Sequence, residues 1–241
     1  MIKLKDILLE SDELDILKSR RNREERDKNY QIVLQKQIQD YIKNGSKGTL
    51  NLDNVTIQSL PDNLTKVGGD LYLINSKVTK LPENIRIDGC LFLNNSLVTE
   101  MPENIFIGYG LSMDNTSISK LPNSITELKY LNMNGSKVTE LPPNLKTING
   151  DLSAEYTPLS KLPDNLYIAG RLYITGTPIQ RLPDNLTVGY DIRANRTRLS
   201  ELPNNLSVGR DFELVKTPLA IKYTAEQLEE LLPRVKRCIT Y

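Results

Sequence analysis

The sequence lacks histidine and tryptophan altogether and contains only two cysteines among its 241 residues. Without histidine the chain has no imidazole base, no histidine-ligated metal and no serine–histidine–aspartate relay, so most hydrolase mechanisms are excluded. Cys90 and Cys238 are too few for a disulfide framework or a four-thiolate zinc site. We therefore expect reduced thiols, a cytoplasmic protein, no metal, no cofactor and no enzymatic activity.

The sequence also lacks an excess of charge of either sign, and it lacks long apolar runs. Lysine plus arginine number 31 and aspartate plus glutamate 30, which leaves a formal net charge of +1. This balance disfavours nucleic acid and anionic membranes as partners. No stretch of the sequence reaches the roughly 18 apolar residues of a membrane-spanning helix. The opening segment MIKLKDILLE interrupts its apolar residues with charges, unlike a secretory signal.

What the sequence does contain is a short internal repeat. Eight Leu-Pro or Met-Pro pairs recur every 20 or 21 residues, at positions 60, 81, 101, 121, 141, 162, 182 and 202. Ten or eleven residues after each pair, two apolar residues flank one variable residue, as in Leu71 and Leu73 or Leu91 and Leu93. Such alternation predicts one short strand per unit with one face buried. With Leu50 at the front, nine strands are expected.

Two polar columns accompany the strands. A serine or threonine follows the first apolar strand position by five residues in eight of the nine units, where its hydroxyl is expected to bond backbone groups at a turn. An asparagine after most of the prolines marks a second turn. The few residues left between this turn and the next strand are too short for a normal helix, so extended or 3₁₀ backbone is expected there.

These columns resemble the short leucine-rich repeats of bacterial and phage proteins, with the pattern L-P-x-N-[LI]-x-[VI]-x-G-x-L-x-L-x-x-[ST]-x-[IV]. The resemblance covers Leu50 to about Leu219. It implies a right-handed solenoid with a parallel β-sheet on its concave face and extended or 3₁₀ backbone on its convex side. A solenoid exposes apolar core at both ends, so caps are needed.

Both ends of the chain supply a candidate helical cap. Leu34 and Ile38 recur at helical spacing before Gly45, and Thr224-Ala-Glu-Gln227 is a capping box that precedes an apolar run. We divide the chain into a leader with a charged helix or linker, an N-terminal helical cap, the solenoid and a C-terminal helical cap, at residues 1–29, 30–48, 49–219 and 220–241.

The first ten residues also resemble the capsid-targeting leader of internal head proteins of tailed phages, which is cut after a hydrophobic-x-Glu motif. Here the motif is Leu8-Leu9-Glu10, so Glu10 is a candidate processing site. An ordinary amphipathic turn that packs Leu4, Ile7 and Leu8 is the alternative. The resemblance implies a phage-encoded protein that is packaged in the phage head and acts in the cytoplasm of a bacterial host.

Because the recurring columns are needed for the core, function is expected in the residues that vary between units on the exposed sheet face. Tyr72 and Phe92 are predicted neighbours with Ile74 beside them, a patch suited to anchoring a protein partner. Stacking that only stiffens the sheet is the alternative. The predicted partner-binding residues, which include arginines gathered toward the C-terminus, are Tyr72, Ile74, Phe92, Asn94, Asp114, Asn132, Glu155, Arg171, Tyr173, Arg193, Asn195, Arg196 and Arg198.

The sequence thus predicts a non-enzymatic module that binds one protein partner on its concave surface and takes no small-molecule substrate. Two alternatives stay open. A structural, virion-associated scaffold would self-associate and show a concentration-dependent mass. A nucleic-acid-binding protein would use the segment Arg20 to Lys28 together with Arg193, Arg196 and Arg198, and its binding would weaken steeply with salt.

Overall fold

The computed structural model describes residues 4–240, and the side chains of residues 19–22 and 24–240. The chain divides into two compact units, Met1–Gly45 and Ser46–Tyr241. The first unit is built on one helix, α1 (Leu4–Lys43). This helix ends as the sequence predicts, with Gly45 in the left-handed region at φ 81° and its N–H donating to the Ile42 carbonyl at 3.0 Å.

Helix α1 runs through the boundary that the sequence placed between the leader and the N-terminal cap, because the charged segment after Arg20 contains no helix-breaking residue. Its described side chains from 19 to 33 are all exposed. The backbone of Glu10 lies in α1, but its side chain is outside the described residues, so processing at Glu10 stays a prediction, as does the capping role of residues 30–48. Within residues 4–240, no helix is both long and apolar enough to span a membrane.

The second unit contains many very short strands joined by turns. Over its described residues, 46–240, the elements in chain order are β1 (Leu50–Asn51), β2 (Lys66–Val67), β3 (Leu71–Tyr72), β4 (Arg86–Ile87), β5 (Leu91–Phe92), β6 (Phe106–Ile107), β7 (Gly110–Ser112), β8 (Glu127–Leu128), β9 (Tyr130–Asn132), β10 (Thr147–Ile148), β11 (Leu152–Ser153), β12 (Tyr167–Ile168), β13 (Leu172–Tyr173), β14 (Thr187–Val188), β15 (Ile192–Arg193), β16 (Ser207–Glu213), α2 (Pro218–Lys222), α3 (Ala225–Leu231) and β17 (Val235–Ile239).

The strands stack in two parallel rows that advance one coil at a time. One row runs β1-β3-β5-β7-β9-β11-β13-β15-β16, and β17 pairs with β16. The outer row consists of β2-β4-β6 and, separately, β8-β10-β12-β14. Strand β16 joins the rows, since its Val208 pairs with Val188 of β14 while its Phe212 pairs with Ile192 of β15. The second unit is therefore a leucine-rich repeat solenoid.

The predicted alternation of buried and exposed residues is confirmed in the first row. Leu71, Leu91 and Leu111 have no solvent exposure, whereas Tyr72 and Phe92 are half-buried on the opposite side of the strand. Each buried leucine contributes about 1.5–3 kcal/mol relative to an exposed one. Because every coil repeats this burial, the stacked coils share one continuous core.

The predicted hydroxyl column bonds the backbone in the units that carry threonine. The Oγ1 atoms of Thr157 and Thr217 donate to the carbonyls of Ala154 and Leu214 at 2.7 Å, three residues earlier. The same contact recurs at positions 116, 177 and 197. The Oγ atoms of the serines at 76, 96 and 136 are equally buried and have no hydrogen-bond partner within the described chain. Threonine suits this position because its branched Cβ restricts the rotamer.

Two features of the second unit go beyond the sequence-based expectation. The extended backbone expected on the convex side is confirmed. It also pairs between coils to form the outer row of strands, and this pairing was not predicted because segments of two residues carry no recognisable strand pattern. The capping box is also confirmed, with the Thr224 N–H donating to Gln227 Oε1 at 2.9 Å and the Gln227 N–H to Thr224 Oγ1 at 3.3 Å. After α3, however, the chain adds β17 as a tenth strand to the first row instead of ending as a helical cap.

Candidate functional site

The candidate site lies on the first row of strands, on the side that faces away from the buried leucines. We name this surface the sheet face. Each coil contributes the residue before the inward apolar position, the residue after it and the residue two positions further on, for example Asp70, Tyr72 and Ile74, all half-buried. We name the part formed by β1, β3, β5, β7 and β9, residues 49–134, the aromatic half. The part from β11 to β17, residues 151–239, is the ion-paired half.

Two stacked rings stand at the centre of the aromatic half. Register pairing places Tyr72 directly beside Phe92, and their ring centroids lie 4.5 Å apart with an interplanar angle of 13°. The predicted neighbour relation is therefore confirmed. Asn51 and Ser112, the cross-strand neighbours on the two outer sides of this stack, are smaller and uncharged. The stack is thus flanked by small side chains and is not extended by further aromatic rings on the neighbouring strands.

A third ring of the aromatic half was missed by the sequence analysis. Tyr130 pairs in register with Gly110, and a Cβ placed on Gly110 would lie 2.3 Å from the Tyr130 ring, so the ring occupies the space that the glycine leaves open. Tyr109 contacts the same ring edge-on at 6.5 Å between centroids. Burial, and then the neighbouring Cys90, raise the pKa of Tyr130. The sequence did contain a signal for this contact, because Gly110 and Tyr130 occupy the same column of consecutive repeats.

Three carboxylates of the aromatic half hold successive coils together. The Oδ1 atoms of Asp53, Asp70 and Asp114 accept the backbone N–H groups of Ile74, Cys90 and Asn134, each at 2.7 Å. Asp114 Oδ2 also accepts from Asn94 Nδ2 at 3.1 Å. Each carboxylate therefore has a structural role, and each remains only partly buried on the sheet face.

Among the described residues, no lysine or arginine side chain pairs with these three carboxylates, Asp53, Asp70 and Asp114. The sheet-face positions of β1 to β9 contain neither lysine nor arginine. Partial burial, and then the charges of Asp70, Cys90 and Asp53, raise the pKa of Tyr72. Burial also raises the pKa of Asp114, although its bond from the Asn134 N–H acts in the opposite direction.

The ion-paired half carries both signs of charge. Arg171 Nε lies 3.3 Å from Asp191 Oδ2, and Arg193 Nε lies 3.1 Å from Glu213 Oε1. Further along, Arg237 pairs with Asp211. Arginines also lie over two aromatic rings of this half, as Arg193 does over Tyr173 at 5.4 Å and Arg171 over Tyr190 at 5.7 Å from the ring centroid. Most of the charges on this half are therefore paired across adjacent coils, whereas Glu155 makes no ion pair with the described residues.

Comparison with known proteins gives structural neighbours only. No family model matches the chain, and no curated protein matches it. Among solved structures, the chain is similar to the leucine-rich repeat domain of a Shigella effector, with 20% identity over 85% of this chain and 84% of that chain and a TM-score of 0.46. It is also similar to YopM from Yersinia enterocolitica WA-314, with 16% identity over 85% of this chain and 71% of that chain and a TM-score of 0.28.

The structure brings most of the predicted partner-binding residues onto the sheet face in two groups. The aromatic half holds Tyr72, Ile74, Phe92, Asn94, Asp114 and Asn132, and the ion-paired half holds Glu155, Arg171, Tyr173, Arg193 and Asn195. Several of the polar members bond neighbouring coils, as Asn195 does by accepting the Val215 N–H at 2.8 Å.

Two predicted arginines lie apart from these groups. Arg196 occupies the left-handed turn after β15, with φ 57°, and Arg198 follows it on the exposed side of the chain. Neither side chain makes an ion pair with the described residues. They therefore stand at the rim beyond the strand ends. Across the described part of the chain, no three histidine, cysteine or acidic side chains converge as metal ligands would.

Proposed function

We propose that the protein is a non-enzymatic module that binds one protein partner on the sheet face. The aromatic stack of Tyr72 and Phe92 supplies the apolar anchor, and the arginines of the ion-paired half supply a polar rim. The observation that carries this proposal is the stack itself, which stands half-exposed among small polar neighbours. Paired aromatic residues at the centre of a flat polar surface are typical anchors of protein interfaces.

The test is capture of partners from a bacterial host lysate by the tagged full-length chain, read by mass spectrometry. The double variant Tyr72→Ala/Phe92→Ala removes the stack. We expect wild type to retain a partner that the double variant loses, since truncating central aromatic anchors costs an interface about 2 kcal/mol or more. The matched control is Tyr167→Ala, which removes an exposed ring from the outer row.

The alternatives predict different results in the same experiment. Identical sets of captured proteins from wild type and the double variant would contradict a binding role for the stack. A mass that rises with protein concentration, measured by sedimentation, would favour the self-associating scaffold. Capture that depends on the unpaired Arg196 and Arg198 and disappears steeply with salt would favour nucleic acid.

We further propose that the partner is a host protein in the bacterial cytoplasm and that the chain is phage-encoded and delivered with the phage head. The support is the resemblance of MIKLKDILLE to a capsid-targeting leader. Cleavage after Glu10 would leave Ser11 as the new N-terminus. Intact-mass measurement of the protein recovered from phage heads tests this, and a full-length mass would contradict it.

A further inference from the structure

The uneven distribution of charge on the sheet face indicates what kind of partner the aromatic half fits. The chain as a whole is nearly neutral, at +1. Within the aromatic half, however, Asp53, Asp70 and Asp114 are the only formal charges on the sheet-face positions. None of them is paired with a cation of the described chain, so this half presents negative charge alone.

The unpaired charge and the aromatic anchor belong to one surface. Asp70 precedes Tyr72 by two residues, and the Asp53 carboxylate accepts the N–H of Ile74, two residues after Tyr72. Burial raises the pKa of Tyr72, and the charges of Asp70 and Asp53 raise it further. On the other side of the stack, Asp114 lies one coil beyond Phe92 and bonds Asn94. Carboxylates therefore flank the rings on both sides.

This combination is complementary to basic side chains. An arginine or lysine gains from a nearby carboxylate and from the face of an aromatic ring, and its aliphatic stem packs on apolar surface. The ion-paired half demonstrates the same chemistry within the chain, where Arg193 lies against both Glu213 and Tyr173. The aromatic half contains the acidic and aromatic components of this arrangement but lacks the arginine.

We propose that the aromatic half binds a polypeptide segment of the partner that presents arginine or lysine side chains to Tyr72, Phe92 and the flanking carboxylates. The inference rests on the proposed function, which requires only that a protein binds this face. Nucleic acid is a poor occupant here, because its phosphates would meet three aspartates and no cation.

The test selects short random peptides displayed on phage against the full-length protein, with removal of those that also bind Tyr72→Ala/Phe92→Ala. The peptides that remain depend on the aromatic half. We expect them to carry an excess of arginine and lysine over the starting library. Their binding should weaken as salt rises from low to physiological concentration. The Debye length then falls to about 8 Å, so the attraction between exposed charges is more strongly screened.

Charge-neutral variants separate the carboxylates from the rings. Asp53→Asn and Asp70→Asn remove the charge while keeping an oxygen that accepts the same backbone N–H. Together they should weaken binding of a selected peptide by roughly three- to tenfold, as expected for two exposed charge pairs. Asp191→Asn is the matched control, since it removes one carboxylate from the ion-paired half and should leave this peptide unaffected.

The outcomes distinguish this inference from the proposed function. Peptides that depend on the stack but show no excess of basic residues, or that ignore Asp53→Asn/Asp70→Asn, would overturn the basic-partner inference and leave protein binding intact. Failure to recover any peptide that distinguishes wild type from the double variant would overturn both. A fluorescent RNA probe that binds wild type and not the double variant would also overturn the inference.

Discussion

The two halves of the sheet face share one backbone and one core but differ in how their side chains are satisfied. In the ion-paired half, the arginines at 171, 193 and 237 pair with carboxylates on adjacent coils, and Arg171 and Arg193 also lie over aromatic rings. In the aromatic half, three aspartates lie around two stacked rings and form no ion pair with the described residues. A surface that pairs most of its own charges is suited to the polar rim of an interface, whereas one that leaves charge and apolar area open is suited to its centre.

The difference does not come from the strands themselves. Leu131 in the aromatic half and Leu172 in the ion-paired half are both fully buried, and both pair in register with the same neighbour, Leu152. At this inward position the core is therefore continuous across the boundary at β11. The charges of the outward positions distinguish the halves, so experiments on this part of the core and on the surface should give opposite patterns.

The largest effect is expected from Leu131→Asp. A charged side chain in this buried position should cost more than about 4 kcal/mol, because it has no partner there and removes packing between coils. Leu172→Asp should unfold the protein to a similar extent, since each coil is stabilised mainly by its neighbours. Urea denaturation measures both, and Leu97→Asp, at a position with 54% exposure, is the control. A large difference between the two core variants would show that the halves fold independently.

A smaller and local effect is expected from Gly110→Ala. The new methyl group would meet the Tyr130 ring at 2.3 Å and force that ring to shift from its position beside Tyr109, at a cost of about 1–3 kcal/mol. In a Tyr130→Ala background the same substitution should be nearly neutral. Thermal unfolding of the four proteins gives the coupling energy. An equal cost in both backgrounds would contradict the assignment of that space to the ring.

Removal of one ion pair should have a still smaller effect. Arg193→Ala deletes the contacts with Glu213 and Tyr173, both half-exposed, so the loss of stability should stay within about 1 kcal/mol and diminish at high salt. Urea denaturation at two salt concentrations measures this. Partner capture should also fall less than with Tyr72→Ala/Phe92→Ala, because a rim charge contributes less than a central anchor. If Arg193→Ala reduced capture more than Tyr72→Ala/Phe92→Ala does, the main binding contact would lie in the ion-paired half.

The smallest effect concerns the protonation of Asp114. Because burial raises its pKa in the folded chain, the folded state holds this proton more tightly than the unfolded state does. Its contribution to stability is therefore present at acid pH below the ordinary aspartate pKa and is lost as pH rises through the raised value. Carboxyl carbon shifts followed by NMR should show Asp114 titrating above the usual range. Titration below that range would show that the Asn134 N–H dominates.

Much of the fold and part of the site follow from local sequence. The spacing of Leu-Pro pairs and the alternation around Leu71 or Leu91 predict the strands, their register and the neighbour relation of Tyr72 and Phe92, because a constant repeat length places equivalent residues side by side. The capping box at Thr224 also follows from four adjacent residues. Strand β17 does not, since its pairing depends on where α3 returns the chain, and Glu229 of that helix accepts the Cys238 N–H at 2.8 Å.

The sequence by itself determined the coil, its buried leucines and the columns that face outward, since these depend on period and polarity alone. The tertiary structure decided which outward residues satisfy one another. Tyr130 covers Gly110, and the partners of Arg171 and Arg193 are carboxylates about twenty residues away in the chain. Whether such groups meet depends on side-chain rotamers across coils, which no local pattern encodes. For the same reason, the unpaired state of Asp53 and Asp70 emerges only when the coils are stacked.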